Sequence, residues 1–168
     1  MSRRLAQGMR LQTAIVAFGA NLGDRAATIE AAAAELRALP LVDDVRLAPP
    51  ISSVAVTLDG PDAEAPGYLN TIAIVSTRLA PSVLLAQLHE IERRHGRVRL
   101  ERWGDRTLDL DLIAYGDVRS DDPDLLLPHP RAAERDFVLR PWLALDPEAE
   151  LPGAGSVARL LARIEGGA

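Results

Sequence analysis

The sequence predicts an α/β (α+β) protein with a ferredoxin-like βαββαβ core, an antiparallel sheet with helices on one face, and added C-terminal helices. Three observations predict it. Short apolar runs of strand character alternate with segments whose apolar residues recur at helical spacing; their order is strand, helix, strand, strand, helix, strand; and glycine or proline punctuates the junctions.

The first strand is Thr13 to Phe18 (TAIVAF), a β-branched apolar run closed by Gly19. The glycine-containing turn that follows reaches Asp24, an N-cap for a helix running to about Leu39. Ile29, Ala32, Ala33 and Leu36 form its inner stripe, and Pro40 stops it. Val45 to Val56 reads as a strand broken by Pro49-Pro50, which places it at an edge or a bulge. Leu58 to Gly67 is expected to be a long mobile loop. Tyr68 to Arg78 is a strand with Tyr68, Asn70, Ile72 and Ile74 on one face and Leu69, Thr71, Ala73 and Val75 on the other. Pro81 opens the second helix, whose stripe is Leu84, Leu85, Leu88 and Ile91 and whose end is Gly96. After an arginine-rich loop, Thr107 to Tyr115 is the last core strand. One helix near Phe137 to Leu145 and another after Ser156 complete the chain.

Length and composition narrow the chemistry. The 168 residues suit one domain, expected over 11–168 behind a flexible segment 1–10. There is no cysteine, and all 19 basic residues are arginine. Thiol nucleophiles, Cys-ligated zinc, disulfides, a P-loop lysine and a Schiff-base lysine are therefore excluded. The longest stretches free of charged residues are 13 long, short of the ~20 apolar residues of a membrane helix. The N-terminal arginines are not followed by a continuous apolar region, so a cytoplasmic protein is expected, with no membrane partner. Net charge is −5, yet Arg93 to Arg106 holds six arginines against Glu101 and Asp105, a local +4 that leaves −9 elsewhere. A general nucleic-acid binder spreads positive charge over a face; this distribution suits one compact polyanion instead.

In Thr107-Leu108-Asp109-Leu110-Asp111-Leu112 the period of two puts Asp109 and Asp111 on one strand face, about 7 Å apart, where they can hold hard cations. The same pattern also describes an amphipathic edge strand with a solvated polar face. Its place directly after the arginine loop favours a triphosphate site, with Mg²⁺ between carboxylates and guanidinium groups. The loop, Gly96 to Arg106, has glycines at Gly96 and Gly104 and can close over phosphates. Surface ion pairs with Glu92, Glu101 and Asp105 are the alternative, and at about 0–1 kcal/mol each they hardly account for the six arginines from Arg93 to Arg106. His129, between Pro128 and Pro130, is either a structural histidine or a ligand-facing one. Tyr68 and Asn70 share a strand face and offer a stacking ring beside a paired donor and acceptor, unless the ring simply packs on the core.

These residues resemble a known family. Phe18-Gly19-Ala20-Asn21-Leu22-Gly23-Asp24-Arg25, Tyr68-Leu69-Asn70, Gly96-Arg97-Val98-Arg99, Arg102-Trp103-Gly104-Asp105-Arg106-Thr107-Leu108-Asp109-Leu110-Asp111, and Leu127-Pro128-His129-Pro130 to Phe137-Val138-Leu139 are similar to the 6-hydroxymethyl-7,8-dihydropterin pyrophosphokinases of folate biosynthesis, over about residues 11 to 165. The resemblance implies ATP, two Mg²⁺ ions, and transfer of a pyrophosphoryl group to the pterin hydroxymethyl oxygen with release of AMP. It implies that Asp109 and Asp111 ligate magnesium, that Arg97 and Arg106 act on the phosphates, and that Arg99, Arg102 and Trp103 help close the loop. Glu92, His129 and Arg135 would contact ATP, Tyr68 and Phe137 would sandwich the pterin, and Asn70 would bond its edge. A monomer acting on small molecules without nucleic acid is expected. The chain departs from the family pattern at Ala20, usually serine, at Thr57-Leu58-Asp59, where a proline pair often follows the threonine, at Leu100, where lysine can stand, and at Asp105, usually proline.

Two other functions fit less well. An RNA-recognition module shares the element order but needs stacking aromatics on its central strands, and of six aromatics only Phe18 and Tyr68 lie on early strands. An ATP-binding regulatory paralogue without turnover would retain the same motifs.

Overall fold

The computed structural model describes residues 10–53, 55–57, 60–62, 67–96 and 108–167. The expectation for the N-terminal segment falls almost wholly outside them.

Strand β1 (Gln12–Ala20) leads into helix α1 (Arg25–Arg37). Asp24 caps this helix as its sequence suggested: the carboxylate Oδ1 accepts the Ala27 N–H at 3.0 Å, an interaction worth about 1 kcal/mol in typical helices. The helix buries Ile29, Ala32, Ala33 and Leu36. Strands β2 (Val42–Leu47) and β3 (Ile51–Ser53) are the two halves of the proline-broken strand, and both pair antiparallel with β6 (Tyr68–Thr77). They form the outer edge of the sheet, where prolines remove no bond from a second neighbour. At the break itself Ala48 keeps the edge in place: its N–H donates to the Ile72 carbonyl at 3.0 Å and its carbonyl accepts the buried Thr71 hydroxyl at 2.7 Å.

The expected loop from Leu58 to Gly67 is in part a hairpin. Strand β4 (Ala55–Thr57) pairs with β5 (Gly60–Asp62), so Gly60 to Asp62 is extended, while Leu58, Asp59 and 63–66 lie outside the described residues. Helix α2 (Pro81–His95) and strand β7 (Asp109–Tyr115) close the core. A small hairpin of β8 (Ser120–Asp122) and β9 (Leu125–Leu127), a 3₁₀ turn at Ala132–Glu134, helix α3 (Asp136–Leu145), the pair β10 (Glu150–Leu151) and β11 (Gly155–Ser156), and helix α4 (Val157–Gly166) follow.

The main sheet has the order β2–β6–β1–β7 with every neighbouring pair antiparallel, the ferredoxin-like arrangement. Alternation sorts its side chains into two cores. On one face Val16, Phe18, Val75, Leu108, Leu110 and Leu112 pack against Ile29 and Leu36 of α1 and Leu84, Leu88 and Ile91 of α2. The other face is covered as well, because the C-terminal helices cross it: Ile15, Ile72, Ile74 and Ile113 meet Val138, Leu139 and Trp142 of α3 and Val157 and Leu160 of α4. Each of these large apolar side chains contributes roughly 1.5–3 kcal/mol on burial, so the C-terminal layer is a core in its own right. It does not reach the end of the sheet where β6 begins and β7 leaves the arginine segment, and there the face opens into a cavity.

Candidate active site

The cavity measures about 500 Å³. Its floor is one cross-strand row: Asn70 on β6 lies opposite Gly19 on β1, and Gly19 lies opposite Asp109 on β7. A second row, Ile72, Ala17 and Asp111, runs beside it. The period of two therefore does bring both carboxylates of the Asp-Leu-Asp run onto the open face, while Leu108, Leu110 and Leu112 anchor the strand in the core beneath. Gly19 keeps the middle of the floor low, since a Cβ there would stand 3.4 Å from Asn70 Oδ1 and 3.7 Å from the Tyr68 ring.

The wall comes from the turn before α3. Arg135 extends one nitrogen to within 3.8 Å of Asp111 Oδ2 and lays its guanidinium 5.7 Å from the centre of the Phe137 ring. Arg131, Glu134 and Val138 line the same wall, and Ser53 and Tyr68 line the opposite side. Asn70 is 5% exposed, and its Nδ2 donates to Ser53 Oγ at 2.6 Å. Of the residues singled out in the sequence, Tyr68, Asn70, Asp109, Asp111, Arg135 and Phe137 thus share one cavity. Arg97, Arg99, Arg102, Trp103 and Arg106 lie outside the described residues; the chain enters their segment at Gly96, after α2, and leaves it at Leu108.

Glu92 and His129 flank this cavity without lining it. The Glu92 carboxylate accepts the Leu110 N–H at 2.7 Å, gripping the backbone between the two aspartates from the last turn of α2. Burial raises its carboxyl above the ordinary value and Asp109 and Asp111 add to the rise, while the Leu110 N–H and His89 act in the opposite direction. A carboxyl raised in the folded chain favours folding while it is protonated, and that contribution is lost as pH rises through the folded value. Ionised Glu92 therefore carries a cost at neutral pH in the chain free of metal and nucleotide. The Glu92→Gln variant keeps an oxygen for Leu110 and is expected to melt about 1–2 °C higher at pH 7, with the gain closing toward about pH 4. Thermal melts of both proteins across that range check it.

His129 borders a neighbouring cavity of about 330 Å³ together with Arg119 and Gly153. Its own N–H donates to the Ile113 carbonyl at 2.8 Å, and its ring Nδ1 accepts the Arg131 N–H at 3.2 Å. Burial lowers its pKa, Asp111 opposes this, and Arg135 and Arg131 reinforce it. The ring is accordingly neutral at pH 7 with its proton on Nε2, a donor for an anionic oxygen.

Sequence reasoning missed Ser53, Gly19, Glu134 and Arg25. The Arg25 guanidinium donates to the Gly67 carbonyl at 2.5 Å and so ties the start of α1 to the residue before Tyr68. Such links depend on which strands are neighbours, and no local pattern announces them. Asp24 was visible as a helix cap and Gly19 as the close of a strand, but Arg25 only as part of a motif.

The donor set suits magnesium. Two carboxylates face one open cavity, and among the described residues no group of three or more acidic or histidine side chains forms a complete protein cage. Magnesium takes one or two carboxylates and completes its shell with water and phosphate oxygens, so this pair is a fitting half-site for it.

Fold and cavity together define a ferredoxin-like α/β protein whose sheet carries paired carboxylates opposite an arginine-and-aromatic wall. Residues 15–147 match the family model described as 7,8-dihydro-6-hydroxymethylpterin-pyrophosphokinase, and the chain belongs to that family. A relative in Pseudomonas aeruginosa, named 2-amino-4-hydroxy-6-hydroxymethyldihydropteridine pyrophosphokinase, is 40% identical over 152 residues, which is 90% of this chain and 91% of the relative. The Haemophilus influenzae protein of the same name is 35% identical over 149 residues, 89% of this chain and 91% of that one. Among solved structures, Plasmodium falciparum HPPK-DHPS with pteroate superposes with a TM-score of 0.61 at 11% identity, over 99% of this chain and 46% of that longer chain. That likeness bears on the fold, which it shows to be the ferredoxin-like one of these proteins. Among the described residues no helix is long and apolar enough to cross a membrane.

Proposed function

We propose that this chain transfers the pyrophosphoryl group of ATP to the hydroxymethyl oxygen of 6-hydroxymethyl-7,8-dihydropterin, giving AMP and the pterin diphosphate. A bond forms between that oxygen and the β-phosphorus, the bridging bond to the α-phosphate breaks, and the hydroxyl proton is released. The observation that carries the reading is the cavity itself, where Asp109 and Asp111 face Arg135 and Phe137 across a floor that ends in Asn70, in a chain of this family.

Asp109 and Asp111 would hold two Mg²⁺ ions. Magnesium supplies neutralisation of the triphosphate and polarisation of its oxygens. Arg135 and the Nε2–H of His129 bind phosphate oxygens. Arg97 and Arg106 act on the transferring group, Arg99, Arg102 and Trp103 contribute to covering it, and Glu92 contacts the nucleotide. Tyr68 and Phe137 enclose the pterin ring and Asn70 bonds its edge. Arg135 and Phe137 stand two residues apart at the start of α3, so one rigid turn sets the distance between phosphate and pterin, and the entropy of bringing them together is met on binding. The same reading has residues 11–168 working as one domain, a monomer in the cytoplasm without nucleic acid.

Incubation with ATP, Mg²⁺ and the dihydropterin, followed by chromatography, tests the proposal. AMP that forms only when the pterin is present is expected. ADP, or ATP binding without pterin-dependent AMP, overturns it.

A further inference from the structure

We infer that Ser53 is a specificity residue of the pterin site, orienting Asn70 and reading the ring's 4-oxo group with its hydroxyl; this rests on the function proposed above. The amide of Asn70 is buried with its nitrogen bonded to Ser53 Oγ and its oxygen toward Gly19, where a Cβ would stand 3.4 Å away. A hydroxyl that accepts one hydrogen bond keeps its own hydrogen to donate. The cavity edge therefore presents the Ser53 O–H and the second Asn70 N–H as donors, with Asn70 Oδ1 as acceptor.

Ser53 is not free to drift from this arrangement. It is the register partner of Tyr68, its carbonyl lies so close to Gly67 that a Cβ there would approach to 2.9 Å, and Arg25 donates to the Gly67 carbonyl. A heterocycle whose edge sets a carbonyl beside a ring N–H, as the 2-amino-4-oxo pterin does, matches donor against acceptor. In a 2,4-diamino ring the carbonyl becomes an amine, which sets donor against donor, and a buried polar group without a partner is costly.

Fluorescence titration of the full chain with 6-hydroxymethylpterin and with 2,4-diamino-6-hydroxymethylpteridine tests this. The unmodified chain is expected to prefer the oxo ring by about tenfold or more. Ser53→Ala is expected to weaken the oxo ring about tenfold while leaving the diamino ring and ATP within about twofold, and Ser53→Thr is expected to restore the preference. Should the alanine variant fail to fold by circular dichroism, Ser53→Cys provides the same comparison. Equal loss of both rings, or no loss of either, overturns the role of Ser53 and leaves turnover by the unmodified chain as it is. An unmodified chain that binds neither ring overturns the proposed function as well.

Discussion

Asp109→Ala or Asp111→Ala is expected to lower kcat by about 10³-fold or more while leaving the fold intact. Magnesium is worth several kcal/mol to the charge developing in phosphoryl transfer, and each 1.36 kcal/mol is a factor of ten in rate. Neither side chain packs in a core; both face the cavity beside Glu92 and raise its carboxyl. Truncation leaves both cores untouched, relieves the repulsion with Glu92 and, at Asp111, gives up the loose pair with Arg135, so the melting temperature should change little. Steady-state AMP release together with thermal melts checks both halves. Asp111→Asn keeps the shape and loses the charge, and it should be nearly as inactive. A variant that retained a tenth of the parent rate would place the metal elsewhere.

The second large effect belongs to Arg135, and it has two signs. In the free chain its guanidinium stands 3.8 Å from Asp111, with side-chain exposures of 23% and 43%, so the pair is loose and partly screened. It nevertheless places a positive charge where a cation would be drawn. Arg135→Ala should thus raise the affinity for free Mg²⁺ severalfold by calorimetry, because the carboxylates lose a competitor. The same change should lower kcat/KM for ATP by about 10²-fold if the fixed fork of Arg135 grips phosphate as proposed. Arg135→Lys keeps the charge but not the planar fork or the stacking on Phe137, and is expected to fall between the two. Loss of metal affinity and nucleotide turnover together would mean that Arg135 holds the site open structurally.

Much of this site was readable before any coordinates. The period of two in the Asp-Leu-Asp run decided which face its carboxylates share, and the pattern of Tyr68, Asn70 and Ile72 decided that they share a face too. The Asp24 cap and the proline break between β2 and β3 follow from local chemistry and appear where expected. What the sequence withheld is relational. Ser53 meets Asn70 because the chain resumes pairing after Pro49-Pro50 in one particular register, and periodicity does not choose a register between separate strands. The hairpin at Gly60 to Asp62 contains proline and aspartate, both poor strand residues, and its pairing with Ala55 to Thr57 overrides them. The placing of Glu92 and His129 beside the cavity likewise depends on how α2 and the turn after β9 pack against β7.

The second face of the sheet has a consequence in time as well as in space. Its cover, α3 and α4 over Asp136 to Gly166, is synthesised after every strand of the main sheet. At roughly 5–20 residues per second that stretch takes about 2–6 s on the ribosome. During those seconds Ile15, Ile72, Ile74 and Ile113 lack the partners they meet in the finished fold, although every residue of the other core has been made. Phe137 arrives with this late segment, directly after Arg135, so the cavity wall is completed last. A nascent chain halted before α3 would leave this face of the sheet uncovered and the cavity without Phe137 and Val138.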